Sequence, residues 1–179
     1  MKKVVISIPV HEQPLVIEQQ LRNIQKFVPH SRVILHASGD SPALFHQELA
    51  QVIRRLDGFA ILNPEHIKTH AENEAANVCG LSTVHASNFR AVQGLDFDIW
   101  AINTSNDMFV RLGVEREWNQ FDCALQCQAV SAEEYAFPQV VEHIRQFIPK
   151  ADKFFKSSQE GMFYPKAVFQ DVANIITKM

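Results

Sequence analysis

Over residues 4–62 the chain switches repeatedly between two hydrophobic periods, and that alternation limits its fold more than any other feature. Val4 to Val10 (VVISIPV) is β-branched and apolar on both faces, which predicts a central strand covered on both sides. Pro9 has no N–H for a ladder, so it belongs at the strand's exit. His11-Glu12-Gln13 makes a short polar loop. Pro14 suits the first turn of a helix to about Val28, with Ile17, Leu21, Ile24 and Val28 at helical spacing. Arg32 to Ala37 predicts a second strand. The polar loop Ser38-Gly39-Asp40-Ser41 follows, with Asp40 or Ser41 as cap and Pro42 in the next helix's first position. Phe45, Leu49, Val52 and Leu56 give that helix its apolar stripe, Asp57-Gly58 ends it, and Phe59 to Leu62 is a short third strand. This order implies a mostly parallel sheet joined by crossover helices, an α/β fold.

The stretch from Asn77 to Arg111 then carries the chain to the edge where such sheets bind ligands. It reads as a Gly-Leu-Ser turn, then a helix from about Ser82, its N-cap, to Gln93, with Gly94 as the stop. A strand follows from Phe97 to Asn103, with Ile99, Ala101 and Ile102 buried, and it exits through Thr104-Ser105-Asn106-Asp107. A strand ending in polar residues opens onto the sheet's carboxyl edge. Before this stretch, residues 63–80 are polar and irregular, with a helical turn around Glu65 to Ala76. After it, Trp118 to Val130 predicts short strands or a hairpin. Ser131-Ala132-Glu133-Glu134 fits a capping box for a helix to about Phe147. Lys150 to Pro165 reads as loop, and Lys166 to Lys178 as a last helix with Val168, Val172, Ile175 and Ile176 inside.

At 179 residues, 46% hydrophobic and 21% charged, the chain suits one globular domain with a real core. A formal net charge of −3 gives no basic excess for nucleic acid, and Lys150, Lys153 and Lys156 read as a solvated face. No stretch approaches the ~20 apolar residues of a membrane span. The run after Lys2-Lys3 stops at Pro9, too short for a secretory signal. Three cysteines point to free thiols and a cytoplasmic setting rather than a disulfide framework.

The dinucleotide fingerprint, Walker A, HExxH and GxSxG patterns are all absent. His66, His70 and Glu74 recur every fourth residue, which on a helix makes either three ligands on one face or a solvated face. Cys123 and Cys127 lack a second pair and read as small buried hydrophobes on one strand face. Asp40-Ser41 and Ser105-Asn106-Asp107 both sit at predicted strand ends, either touching ligand or serving as caps and turns. Residues Glu160 to Lys166 (EGMFYPK) combine an acid, two aromatics and a lysine. Phe163 and Tyr164 either stack on a base or sugar or staple the last helix.

IPVHEQP at the first strand, HASGDS at the second and NTSNDMFVR at the later one together resemble a GT-A nucleotide-sugar glycosyltransferase. Within that group the chain is most similar to the core-2/I-branching N-acetylglucosaminyltransferase and peptide xylosyltransferase family. Val10-His11 resembles its first strand end, Cys79-Gly80-Leu81-Ser82 its aromatic-Gly-x-Ser turn, and Thr104 to Asp107 its Ser-x-x-Asp strand end. The resemblance implies a GT-A-like single domain, with a nucleotide-sugar half over residues 1–115 and a reduced acceptor half over 116–179. It implies transfer of a sugar from a nucleotide-diphosphate donor, most often UDP-linked, to a glycan hydroxyl, in surface polysaccharide or glycan assembly, with no cofactor and no metal. Glu160 would be the base and Asp107 would position donor or acceptor. His11, Glu12, Asp40, Ser41, Ser82, Ser105 and Asn106 would hold the donor. Arg90, Arg111 or Lys166 would neutralise the diphosphate, and Phe163 and Tyr164 would face the acceptor. Asp96-Phe97-Asp98, the chain's sole Asp-x-Asp, falls at the start of a strand. Two readings from other classes stand beside this one: a non-catalytic nucleotide- or sugar-binding domain, and a structural partner whose polar loops only cap helices.

Overall fold

The computed structural model describes residues 1–69, 80–134, 138–147, 149–150 and 152–178, less the side chains of 80, 125–127, 139–140, 143–144, 147, 154–160 and 177–178. It divides into two compact units, one of Met1–Ala124 with Glu160–Met179 and one of Leu125–Gln159.

In the first unit the alternation takes the form expected of it. Strand β1 (Val4–Val10) pairs in parallel with β2 (Ser31–Ala37) across its whole length, and β2 with β3 (Ala60–Leu62). Helices α1 (Pro14–Phe27) and α2 (Ala43–Arg54) make the two crossovers. Ile17, Leu21, Ile24 and Val28 are fully buried, each worth on the order of 2 kcal/mol of hydrophobic stabilisation. They meet Ile6, Ile8, Val33 and Leu35 on one face of the sheet. The α2 stripe holds too, except that Pro42 rather than Asp40 or Ser41 occupies the cap position and no side chain caps the helix.

The third crossover changes direction. Helix α3 (Gly80–Val92) leads to β4 (Ile99–Ile102), which pairs with β1 on the side away from β2. The strand order β3-β2-β1-β4 therefore reverses between β1 and β4, and α3 covers the opposite face with Ala86, Phe89 and Val92 against Val5, Ile34, Trp100 and Ile102. Because β4 pairs only as far as Ser7, Pro9 faces the space beyond its end, where no N–H is needed. Ser82 sits inside α3 rather than capping it.

The chain departs most from expectation after residue 112. Trp118 lies in a short helix, α4 (Val114–Gln120), which follows Gly113 at φ 106°. Residues 153–165, read as loop, form strand β6 (Lys153–Pro165), antiparallel to β4 with Met162 opposite Ile102 and Pro165 opposite Ile99. The last helix, α6 (Lys166–Lys178), is turned relative to the expected stripe: Phe169 and Ala173 are buried, while Val168 and Ile175 are exposed.

The second unit holds β5 (Ala124–Ser131) from Leu125 onward, helix α5 (Pro138–Phe147) and the first half of β6, beside which β5 lies in the sheet order. Ser131 Oγ accepts the Glu134 N–H at 3.2 Å, as a capping box would, but this closes a turn and the helix begins at Pro138.

Candidate functional site at the carboxyl edge

Parallel strands β1, β2, β3 and β4 all end at one edge, so their exit loops meet there. His11 Nδ1 lies 3.2 Å from Ser105 Oγ, joining the exits of β1 and β4 across the point where strand order reverses. Glu12 lies 3.4 Å from His11 Nε2. The exit of β4 is a tight turn: Asp107 Oδ2 accepts the Thr104 N–H at 2.9 Å, and Thr104 Oγ1 donates to Asn106 Oδ1 at 2.9 Å. Helix α1 clamps this turn from below. Gln20, on its buried face, donates from Nε2 to the carbonyls of Thr104 at 2.7 Å and Asp107 at 2.9 Å. Asn23 exchanges two hydrogen bonds with the Phe109 backbone. Neither residue stands out by type. Their signal was a polar side chain on a helical face that should be apolar.

At the exit of β2, Ser38 binds its own loop and a second segment. Its Oγ accepts N–H bonds from Asp40 at 3.3 Å and Thr69 at 3.1 Å, and its carbonyl accepts Ser41 N–H at 3.0 Å. Residues 63–69 run against this exit, with Gly39 N–H donating to Ile67 O at 3.1 Å. Lys68 Nζ lies 3.8 Å from Asp40. His66 packs edge-on to His46, ring centres 4.6 Å apart. His70, Glu74 and Cys79 lie outside the described residues, and so does the side chain of Cys127.

Beneath these loops the α3 face of the sheet carries a buried polar network. Ser7, the one polar residue of β1, has its Oγ 2.7 Å from His85 Nδ1 and accepts from Asn88 Nδ2 at 2.9 Å. Asn63 Nδ2 donates to Asn88 Oδ1 and Ser87 Oγ, both at 2.8 Å, and Ser87 donates to Glu65. Burial pushes the His85 pKa down to about 3, so its ring is neutral in the folded protein.

The remaining candidates divide between the two edges. Glu160 lies in β6 two residues before Met162, the partner of the last residue of β4, which brings its backbone to the carboxyl edge. Its side chain lies outside the described residues. Gly161, at φ 74°, takes a conformation that only glycine adopts readily, as at a strand bulge. It helps to line a recess of about 280 Å³ with Asn103, Asp107, Phe109 and Trp118. Arg111 is exposed on the loop after the β4 turn. Arg90 points along α3 to Glu65, at 3.5 Å.

Lys166 is at the opposite, amino edge. Its N–H binds Asp98 O at 2.8 Å, its ammonium binds Leu95 O at 2.8 Å, and it lies over the Phe97 ring. The Asp96-Phe97-Asp98 stretch is at that edge as well, where Asp96 pairs with Lys3 and Asp98 accepts the Lys3 N–H. Phe163 is 4% exposed, its ring in the core beside Trp118. Tyr164, two residues before α6, packs on Phe169 in the helix's fourth position, the geometry of a hydrophobic staple. Structure thus separates these three from the carboxyl-edge residues. Among the described residues no cluster of three or more His, Cys, Asp or Glu is arranged to hold a metal ion, and no helix is long and apolar enough to cross a membrane.

No protein-family model matches the chain, and no curated protein sequence does. Among solved structures it is similar to the mannosyltransferase PcManGT from Pyrobaculum calidifontis, in complex with GDP-Man and Mn2+. The TM-score is 0.52 at 12% identity, over 96% of this chain and 46% of that one. It is also similar to TarS of S. aureus, with a TM-score of 0.47 at 10% identity, over 96% of this chain and 29% of that one. The chain spans less than half the length of either protein. The likeness to the mannosyltransferase is one of fold, and with the reversal of strand order between β1 and β4 it makes this a GT-A-like α/β fold, a mostly parallel sheet flanked by helices.

Proposed function

We propose that the chain is a glycosyltransferase of the core-2/I-branching and peptide xylosyltransferase type, acting without a bound metal on a nucleotide-diphosphate sugar. The observation that carries this reading is the gathering of the β1, β2 and β4 exits, through His11, Ser38 and Ser105, at the strand-order reversal of a fold shared with a mannosyltransferase. The donor, UDP-linked by the sequence resemblance, lies over the loops of His11-Glu12, Asp40-Ser41 and Ser105-Asn106. The acceptor is a glycan hydroxyl, and the setting is surface polysaccharide or glycan assembly. The exposed free thiol of Cys123 suits a reducing cytoplasm.

In an inverting transfer the acceptor oxygen attacks the anomeric carbon as the bond from that carbon to the diphosphate oxygen breaks. The acceptor proton passes to a carboxylate and the bonding pair leaves on the diphosphate. We assign the base to Glu160, at the carboxyl edge by strand register, and positioning of donor or acceptor to Asp107, whose carboxylate is fixed by the Thr104 N–H. Of the three cations, Arg111 is on the loop leading from that edge, and it takes the leaving charge.

A thermal-shift series with UDP, GDP and their sugars, in manganese and in chelator, tests the reading. A ligand at 100 times its dissociation constant should add about 2.7 kcal/mol of stability. A shift that survives the chelator is expected. One that needs manganese overturns metal independence, and none with any nucleotide overturns the donor site. Glu160→Gln should abolish transfer while donor binding persists, which distinguishes an enzyme from a binding module.

A further inference from the structure

Strand β4 alternates between the two cores: Ile99 and Ala101 belong to the one under α1, Trp100 and Ile102 to the one under α3. Asn103 is next in that alternation, and its N–H still bonds to Ser7 O at 3.1 Å, continuing the ladder. Its side chain therefore projects on the side of Ala101. There it lines the recess of about 280 Å³ at the carboxyl edge, with Ala101, Asp107, Phe109 and Gly161 among others. Asn103 is 7% exposed, and its amide makes no hydrogen bond among the described residues. Neither amide atom is sealed from the surface, as the orphaned Nε1 of Trp100 is. A polar side chain set this deeply, unpaired and open to a recess, keeps its donors and its acceptor for what enters there.

Three features say what fits. Asp107 holds the Thr104 N–H on Oδ2 and leaves Oδ1 without a described partner. A carboxylate on the wall repels phosphate and accepts from hydroxyls. Met108, Phe109 and Val114, each at least partly exposed, add apolar surface. At about 280 Å³ the recess lies just below the roughly 300–1,000 Å³ of sites for drug-sized molecules, room for one ring rather than a nucleotide. It is also open at Gly161, where an added Cβ would meet nothing within 4 Å. A neutral sugar ring matches this lining, with hydroxyls on its rim that donate and accept and an apolar C–H face.

We propose, resting on the glycosyl-transfer reading above, that this recess seats the acceptor as an uncharged pyranose and that Asn103 selects it. The amide donates to one ring hydroxyl and accepts from its neighbour, while Asp107 accepts from another. The C–H face lies against Phe109. Gly161 is the chain neighbour of Glu160, so a sugar seated here stands beside the residue assigned as base.

Nitrogen-15 NMR titration with the methyl glycosides of glucose, galactose, mannose, xylose and N-acetylglucosamine, with and without saturating UDP or GDP, tests this. At least one glycoside should move the Asn103 side-chain amide signals, and inorganic phosphate should not. Asn103→Leu keeps the shape without the polar atoms. It should weaken that glycoside about tenfold or more and leave UDP or GDP binding as in the wild type. Nucleotide binding without glycoside binding, or an undiminished glycoside affinity in Asn103→Leu, overturns the acceptor seat and leaves the nucleotide site standing. Glycoside binding at Asn103 without any nucleotide binding upholds the seat as a sugar site and overturns the donor reading instead. No binding of either overturns both. A response to phosphate marks an anion site and overturns the proposal. Should Asn103→Leu fail to fold, the wild-type amide signals decide the matter, and signals unmoved by every glycoside overturn it.

Discussion

At Gly39 a Cβ built on the backbone would fall 2.5 Å from the His66 carbonyl oxygen. The residue is glycine because two stretches of backbone touch there, the exit of β2 and the segment 63–69. Gly39→Ala must push them apart, and we expect a loss of about 1–3 kcal/mol in urea unfolding together with weaker nucleotide binding. An unchanged midpoint would mean that the segment yields freely. Ser7 presents the opposite case, a polar residue kept in a fully buried strand because His85 and Asn88 reach it from α3. As a residue out of pattern in VVISIPV it could be seen in the sequence. Its partners could not, because they become neighbours only after the third crossover has changed sides.

Among the elements, β6 shows where reading by local pattern stops. The parallel half was legible because its strands are mostly apolar and bounded by polar loops within a few residues. In KFFKSSQEGMFYP the polar centre and a glycine at positive φ break the alternation, and the partner that makes it a strand, β4, lies far back in the chain. The same distance hid the orientation of α6. Phe169 stacks on Trp100 with ring centres 5.2 Å apart and packs on Tyr164, and these contacts turn Val168 and Ile175 outward. Candidate residues at the exits of β1, β2 and β4 came together because a parallel sheet puts those exits at one edge. Lys166 and Tyr164 did not, since an antiparallel strand carries its end toward the other edge, and the Phe163 ring is buried in the core beside Trp118. Phe163→Ala should therefore act as a core truncation, costing roughly 3–5 kcal/mol in denaturant unfolding. A stable variant with selectively impaired acceptor use would instead return Phe163 to the site.

For the whole molecule, two buried neutral histidines among the described residues contribute to the response to acid between pH 6.5 and 4. His36 and His85 titrate near the ordinary value of 6.5 when unfolded and near 4 and 3 when folded. Above pH 6.5 both states leave them neutral and stability is fully present. As pH falls from 6.5 toward 4 the unfolded chain takes up protons that the folded one refuses, and stability is lost. Thermal midpoints should stay level from pH 8 to 6.5 and decline below. A His36→Gln/His85→Asn double variant should decline less over that interval, and equal slopes would show that other groups dominate. The first unit has a further consequence, because it is made from two separated stretches, Met1–Ala124 and Glu160–Met179. On the ribosome β4 is made long before β6, so its outer edge stays open while the intervening residues are synthesised. The nascent chain therefore carries an unpaired β4 edge, open to pairing with another chain, until β6 emerges and covers it.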